Sequence, residues 1–333
     1  MQKVICGAQG LMVSRLGLGC MGMSGAYGEA ASAGPSDAVD SKALDTLYLA
    51  LELGVTFWDT ADIYGDGRNE LLLSRVLRTE RPRIQLATKC GITGRNDDGL
   101  IVNGRPDYIQ QACKASLKRL GVETIDLLYL HRVDPNVPIE ESAGAMGELV
   151  SQGHVRFIGL SEAGPETIQR AHKEFPLSAV QSEYSLFSRG VEAEVLPLLR
   201  ELRIGLVPYS PLGRGLLTGA LTMETELEDN DLRRILPRFA KENLAKNLRL
   251  VEEVKAAAKS HGCSPAQMAL GWVLAQGEDI IPIPGTKRSS YLRDNAQAIH
   301  LALSSQGREA LDSISKSVAG ERYPKALMKA VSK

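Results

Sequence analysis

IDLLYLH (125–131), PIEESAGAMGELVSQG (138–153) and VRFIGLSE (155–162) follow one another in the middle of the chain. The outer two are short runs, apolar almost residue for residue until a polar group ends them. Strands buried on both faces read this way, because a parallel sheet covered by helices leaves neither side to water. The middle stretch has helical length and stops at Gly153. Strand, helix, strand is the repeat of a parallel α/β fold, and the number of repeats decides between an open sheet and a closed barrel.

Upstream, RLGLG (15–19), VTFWDT (55–60) and IQLATK (84–89) read as further strands. SKALDTLYLALELG (41–54) is expected to be a helix capped by Ser41, striped by Leu44, Leu47, Ala50 and Leu51, and stopped by Gly54. NELLLSRVLR (69–78) is a second helix. PDYIQQACKASLKRLG (106–121) is a third, with Pro106 in its first turn and Gly121 at its end. Downstream come the helix GPETIQRAHKEF (164–175), the strand AVQSEYS (179–185), the helix VEAEVLPLLRELRIG (191–205) and the strand GLVPYSP (205–211). A long helical region at 242–276, the strand DIIPIPG (279–285) and the helix SSYLRDNAQAI (289–299) complete the series. Eight strand–helix units in 333 residues predict a (β/α)8 TIM barrel, with residues 1–333 as a single domain. KVICGAQGLMVSR (3–15) is expected as an N-terminal β-hairpin across the barrel floor, and the end of the chain as extra C-terminal helices and a tail. Connections 20–40, 90–105 and 211–240 are long enough to be functional lids.

Lys plus Arg number 39 and Asp plus Glu 40, so no overall field recruits nucleic acid or a membrane surface. The N-terminus lacks the pattern of a signal peptide, and no apolar run approaches the roughly 20 residues that span a bilayer. Cys6, Cys20, Cys90, Cys113 and Cys263 are odd in number and scattered, which predicts reduced thiols in a cytoplasmic protein without disulfides or structural zinc. Oligomeric state is not readable. GLGCMG (17–22) fits a dinucleotide fingerprint but runs into SGAYGEAASAGPSDAVD, which cannot be the helix that mechanism needs, so a tight exit from the first strand is expected instead.

Catalytic groups of a barrel sit where its strands end at the C-terminal face. Those ends are Asp59, Lys89, His131, Ser161, Gln181 and Tyr209 with Ser210, and Tyr64 lies just past Asp59 in FWDTADIYGDG (57–67). A phenol titrates near pH 10, and a neighbouring ammonium draws it toward the working range. Lys89 can supply that charge, Asp59 can hold it in position, and His131 can orient a carbonyl oxygen. None of these is a strong nucleophile, and no cluster has metal-ligand spacing. The set protonates an oxygen while a hydride, from a nicotinamide, attacks the carbon.

DTADIYG, ATK, LYLH, GLSE, QSEYS, VPYSPLGRG and IPIPGTKRSSYLRDN, in that order, resemble the motifs of the aldo-keto reductase superfamily from about residue 10 to 300. SEA at 161–163 and PYSPLGRGLL look most like the branch of plant and bacterial aldehyde and ketone reductases that contains perakine reductase. The resemblance implies NADPH-dependent reduction of a small aldehyde or ketone, with Tyr64 as general acid, Lys89 and Asp59 as its supporting pair, and His131 orienting the carbonyl. It implies that Ser161 and Gln181 hold the carboxamide of NADP(H) and that the nicotinamide stacks on Tyr209. Gly19, Cys20 and Met21 would lie near the ribose, and Ser210, Leu212, Gly213 and Gly215 at the pyrophosphate. Gly285, Thr286, Lys287 and Arg288 would clasp the adenosine phosphate, with Asp294 and Asn295 at adenine, and Ile283 and Tyr291 would also contact the cofactor. GTKR also carries a physical argument, since two cations beside a helix start suit a 2′-phosphate. Family members carry Asn where this chain has Glu162. The same scaffold serves as a potassium-channel β subunit, so a non-catalytic, cofactor-binding regulatory role is the alternative.

Overall fold

A computed structural model of the protein describes residues 1–24, 37–97 and 99–331, leaving out the side chains of 37–39. Most of the expected loop 20–40 therefore lies outside the described residues. Seven parallel strands make one sheet in chain order: β1 (Leu18–Gly19), β2 (Phe57–Asp59), β3 (Gln85–Cys90), β4 (Ile125–Leu130), β5 (Val155–Ser161), β6 (Ala179–Glu183) and β7 (Gly205–Tyr209). Residues 279–285 close this sheet into the expected barrel but do not form a ladder strand. Ile281 and Ile283 donate N–H bonds to Leu206 and Pro208 on β7 (2.9 and 3.0 Å). Toward β1 the traffic runs one way: Gly17 and Gly19 donate to the carbonyls of Pro282 and Pro284 (2.9 and 3.2 Å), and the prolines have no N–H to return.

The continuous apolar character of the strands resolves into two alternating sets. Phe57, Ala87, Leu127, Tyr129, Ala179, Val207, Ile281 and Ile283 fill the barrel interior, together with Val4, Cys6, Leu11 and Val13. Those last four belong to the antiparallel hairpin Lys3–Cys6 and Leu11–Ser14, which plugs the floor as expected. Trp58, Leu86, Leu128, Leu130, Ile158, Leu160, Val180 and Leu206 belong to the second cluster, shared with the helices. Trp58 donates its indole N–H to Val55 O (2.9 Å) and belongs to this outer layer, not to a pocket.

Several expected boundaries are corrected. The first helix runs Asp37–Glu52, through Ser41, so Ser41 is not its cap. The third helix, Pro106–Leu120, carries both expected marks: Pro106 opens it and Gly121 ends it in the left-handed conformation (φ 66°). The region 242–276 is two helices, Lys241–Ser260 and Pro265–Leu274, parted where Gly262 takes φ 65° and Ser264 starts a capping box with Gln267. Loop 90–105 contains a hairpin, Ile92–Asn96 with Gly99–Val102. Loop 211–240 is a string of short 3-10 turns. Beyond 300 the helices are Ser305–Ser315 and Lys325–Met328.

Candidate active site

The residues that end β2 and β3 meet at the rim. Asp59 and Lys89 sit on paired strands, with Asp59 opposite Ala87, so their side chains leave the sheet side by side. Lys89 is fully buried and donates from Nζ to Asp59 Oδ1 (2.5 Å), Thr60 O (2.7 Å) and Tyr64 Oη (3.3 Å). Tyr64 reaches the amine because the chain curls back on itself: Gly65, Asp66 and Gly67 all have positive φ (58°, 52° and 85°). Asn69 holds the curl through Thr60 Oγ1 (2.6 Å), Cys20 O (2.8 Å) and Ser24 Oγ (2.7 Å). His131, just past β4, stands edge-on to the Tyr64 ring, 5.8 Å between centroids.

Burial opposes the Lys89 ammonium, but Asp59 and Tyr64 outweigh it and raise its pKa. Burial pushes the Tyr64 phenol up, and Asp59 offsets part of the pull from Lys89, so its pKa is raised. The expectation that Lys89 alone would draw the phenol toward neutrality is corrected: desolvation wins, and the phenol keeps its proton. Burial, helped by the charges of Lys89 and Arg132, holds His131 well below the ordinary histidine value, so the ring is neutral near pH 7. Its buried Nδ1 has no partner, which favours the tautomer with the proton on Nε2.

A cavity of ≈ 1100 Å³ runs from these groups along the rim to the helix Ser289–Gln297. Asp59, Tyr64, His131, Ser161, Gln181, Tyr209, Ser210, Leu212, Gly215 and Ile283 line it, as do Gly19, Met21, Gly285, Thr286, Lys287, Arg288, Tyr291, Asp294 and Asn295. Cys20 and Gly213 are not among its lining residues. The Cys20 thiol is fully buried and turns to Leu18 O. Gln181 donates Nε2 to Asp59 Oδ2 (2.7 Å), and Ser161 Oγ accepts from Arg132 Nη1 (3.0 Å). Asp294 accepts from Ser264 Oγ and Gln267 Nε2 (both 2.7 Å), which ties this end of the cavity to the neighbouring helix start.

Glu162, in left-handed backbone (φ 56°), is a buried anchor. Arg322 grips both its oxygens (2.9 and 2.5 Å), and Glu183 N donates to it (2.8 Å). Burial works against the Glu162 charge, but Arg322 and Arg132 hold its pKa below the usual carboxylate value. Glu183 in turn pairs with Arg214 (3.0 Å) and Arg238 (3.4 Å). Tyr323 Oη accepts from Arg214 (2.7 Å) and shares a bond with Tyr209 Oη (3.0 Å). The sequence reading missed Arg132, Arg214, Arg238, Arg322 and Tyr323. Arg132 carried a signal in its position next to His131, and Arg214 in its place within VPYSPLGRG.

A family model described as the aldo/keto reductase family matches residues 15–316. The chain belongs to that family. This aldo/keto reductase is 47% identical over 325 residues to a probable aldo-keto reductase 1 of Glycine max, covering 97% of this chain and 92% of that one. It superposes with a TM-score of 0.84 on a glycerol dehydrogenase of Gluconobacter oxydans, at 30% identity and over 97% and 98% of the two chains. An aldo/keto reductase of Klebsiella pneumoniae, solved with NADP and acetate, shares the fold at 23% identity, with a TM-score of 0.73 over 98% of this chain and 99% of that one. The family carries out oxidoreduction of carbonyl compounds and uses NADP(H). No described helix of this family member is long and apolar enough to cross a membrane.

Proposed function

We propose that the protein reduces an aldehyde or ketone to the alcohol with NADPH, and that Tyr64 delivers the proton. The observation that carries this reading is the single ammonium of Lys89, within 2.5 Å of Asp59 and 3.3 Å of Tyr64 Oη, behind a cavity that His131 also lines. When bound, NADPH supplies a hydride. The residues present suit it. Ser161 accepts from Arg132 and keeps a hydroxyl proton to give, while Gln181 has its amine engaged with Asp59 and an oxygen left to accept. A carboxamide needs one donor and one acceptor of this kind. Tyr209 offers a ring face, residues 210–215 cross the middle of the cavity, and Lys287 with Arg288 supply cations at a helix start for a 2′-phosphate.

The protonation states suit a reductive step. A phenol kept neutral by burial is a loaded acid, and a neutral imidazole can donate a hydrogen bond to the same carbonyl oxygen. As that oxygen takes the phenolic proton, the Lys89 charge stabilises the phenolate left behind, and Asp59 keeps the ammonium in register. Tyr64→Phe should lower turnover of 4-nitrobenzaldehyde by about 10²–10⁴-fold while NADPH binding, followed by its fluorescence, stays as in the wild type. Undiminished turnover would refute the assignment. NADPH binding without oxidation by any aldehyde would favour a regulatory, non-catalytic role instead.

A further inference from the structure

Arg132 is the residue in the pocket with no explanation so far. Its side chain is 8% exposed and lines the cavity beside Tyr64, His131, Tyr209 and Tyr323. All its hydrogen bonds leave through Nη1, to His131 O (2.7 Å) and Ser161 Oγ (3.0 Å). Among the described residues Nε is buried without a partner, and Nη2 makes no bond.

The other buried charges at this end of the pocket have direct partners. Lys89 has Asp59, Arg322 has Glu162, and Arg214 and Arg238 share Glu183. Arg132 is in no ion pair among the described residues. Glu162 lies near enough to favour its charge, but the Glu162 oxygens are bonded to Arg322 and Glu183 N, and positioning His131 O and Ser161 occupies only one of the three Arg132 nitrogens. The bare Nε and Nη2 form the side-on edge of the guanidinium, the fork that donates in parallel to the two oxygens of a carboxylate. Apolar Ile63, Ile92, Leu100 and Leu327 line the same cavity and would face the remainder of a ligand.

We infer that Arg132 binds a carboxylate on the substrate, and that the preferred substrates are oxo acids: aldehydes or ketones that carry a carboxylate near the carbonyl reduced. The inference rests on the reductase reading above. The carboxylate takes no part in the bond changes; the carbonyl carbon gains the hydride and its oxygen the Tyr64 proton. The carboxylate supplies the partners that Nε and Nη2 lack and fixes which way the carbonyl points toward Tyr64 and His131.

The test compares 2-, 3- and 4-formylbenzoate with their methyl esters, using NADPH oxidation. For at least one isomer, the wild-type protein should favour the acid over its ester by about tenfold or more in kcat/KM. Arg132→Met should bring that ratio to about one, mainly through KM of the acid, and Arg132→Lys should keep part of the preference. A merely structural Arg132 would lower acid and ester by the same factor, which overturns the inference. So would a wild-type ratio of one or less for all three isomers, a result that needs no variant to fold. If the esters and 4-nitrobenzaldehyde turn over while the acids do not, the reductase reading stands and this inference falls. If no aldehyde turns over, both fall.

Discussion

The rim of the barrel has two flanks built on different principles. On the β2–β4 side, one cation and one anion leave the same side of neighbouring strands, thirty residues apart in the chain, and the tyrosine they serve lies on the loop between them. On the β5–β7 side, two carboxylates beside the strand ends serve three guanidiniums from residues 214, 238 and 322, the last reaching back across 160 positions. The Asp59–Lys89 pair of the first arrangement is set by sheet hydrogen bonding. The second is assembled from the 211–240 loop and, at Glu162, is complete only once the C-terminal segment has docked, so the tail shapes the pocket without owning the chemistry.

Three measurements would break or sharpen this contrast. Lys89→Met should have the largest effect, since it removes the phenol's support and leaves Asp59 buried with Gln181 alone. Turnover should fall about 10³-fold and stability by about 3–5 kcal/mol, read by steady-state kinetics and urea unfolding. An unchanged unfolding midpoint would show that the pair is less buried than described. Arg322→Ala should come next, costing about 2–3 kcal/mol because Glu162 loses its partner, with kcat within about threefold and KM raised as Tyr323 loosens. A fall in kcat as deep as that of Lys89→Met would merge the two flanks into one machine. Glu162 is depressed in the folded protein, so its contribution is present above the ordinary value near pH 4.3 and is lost as pH falls through the lower folded value. The stability gap between wild type and Arg322→Ala should therefore close below about pH 4. The smallest effect belongs to His131→Gln. The unfolded chain takes up a proton near pH 6.5 that the buried ring refuses, so wild-type stability should drop by about 1 kcal/mol between pH 6.5 and 5.5. The variant should lose that part of the slope, and an identical slope would mean the ring titrates normally.

The contrast also marks what could be read from the sequence. Asp59, Lys89 and His131 each end an apolar run, so strand register alone brings them together. Arg132 also follows such a run, but one position past an inward side chain a charge is expected to face water, and only the structure turns it back to Ser161. Arg322 and Tyr323 lie in a stretch without periodicity and carried no signal. The hairpin at 92–102 could have been found, because Asn96–Gly99 reads NDDG, a turn sequence between two short strands. The failure at 279–285 has a plain cause: Ile280, Ile281 and Ile283 look like a strand, but two interleaved prolines withhold half of one ladder. The direction of the Tyr64 shift depended on how much water the fold excludes, a quantity no motif encodes.

That proline-bearing closure has a consequence for synthesis. Arg15 reaches the carbonyls of Leu274 (2.8 Å), Gly277 (2.9 Å) and Ile280, and Gly17 and Gly19 pair with Pro282 and Pro284, so the first strand is completed by residues made some 260 positions later. Until that segment leaves the ribosome, the nascent sheet has bare edges at Leu18–Gly19 and Gly205–Tyr209, open to any passing strand. Closing the barrel is therefore a join between its first strand and a segment made late in synthesis, and any chain stopped short of Ile280 would be left with both edges unpaired.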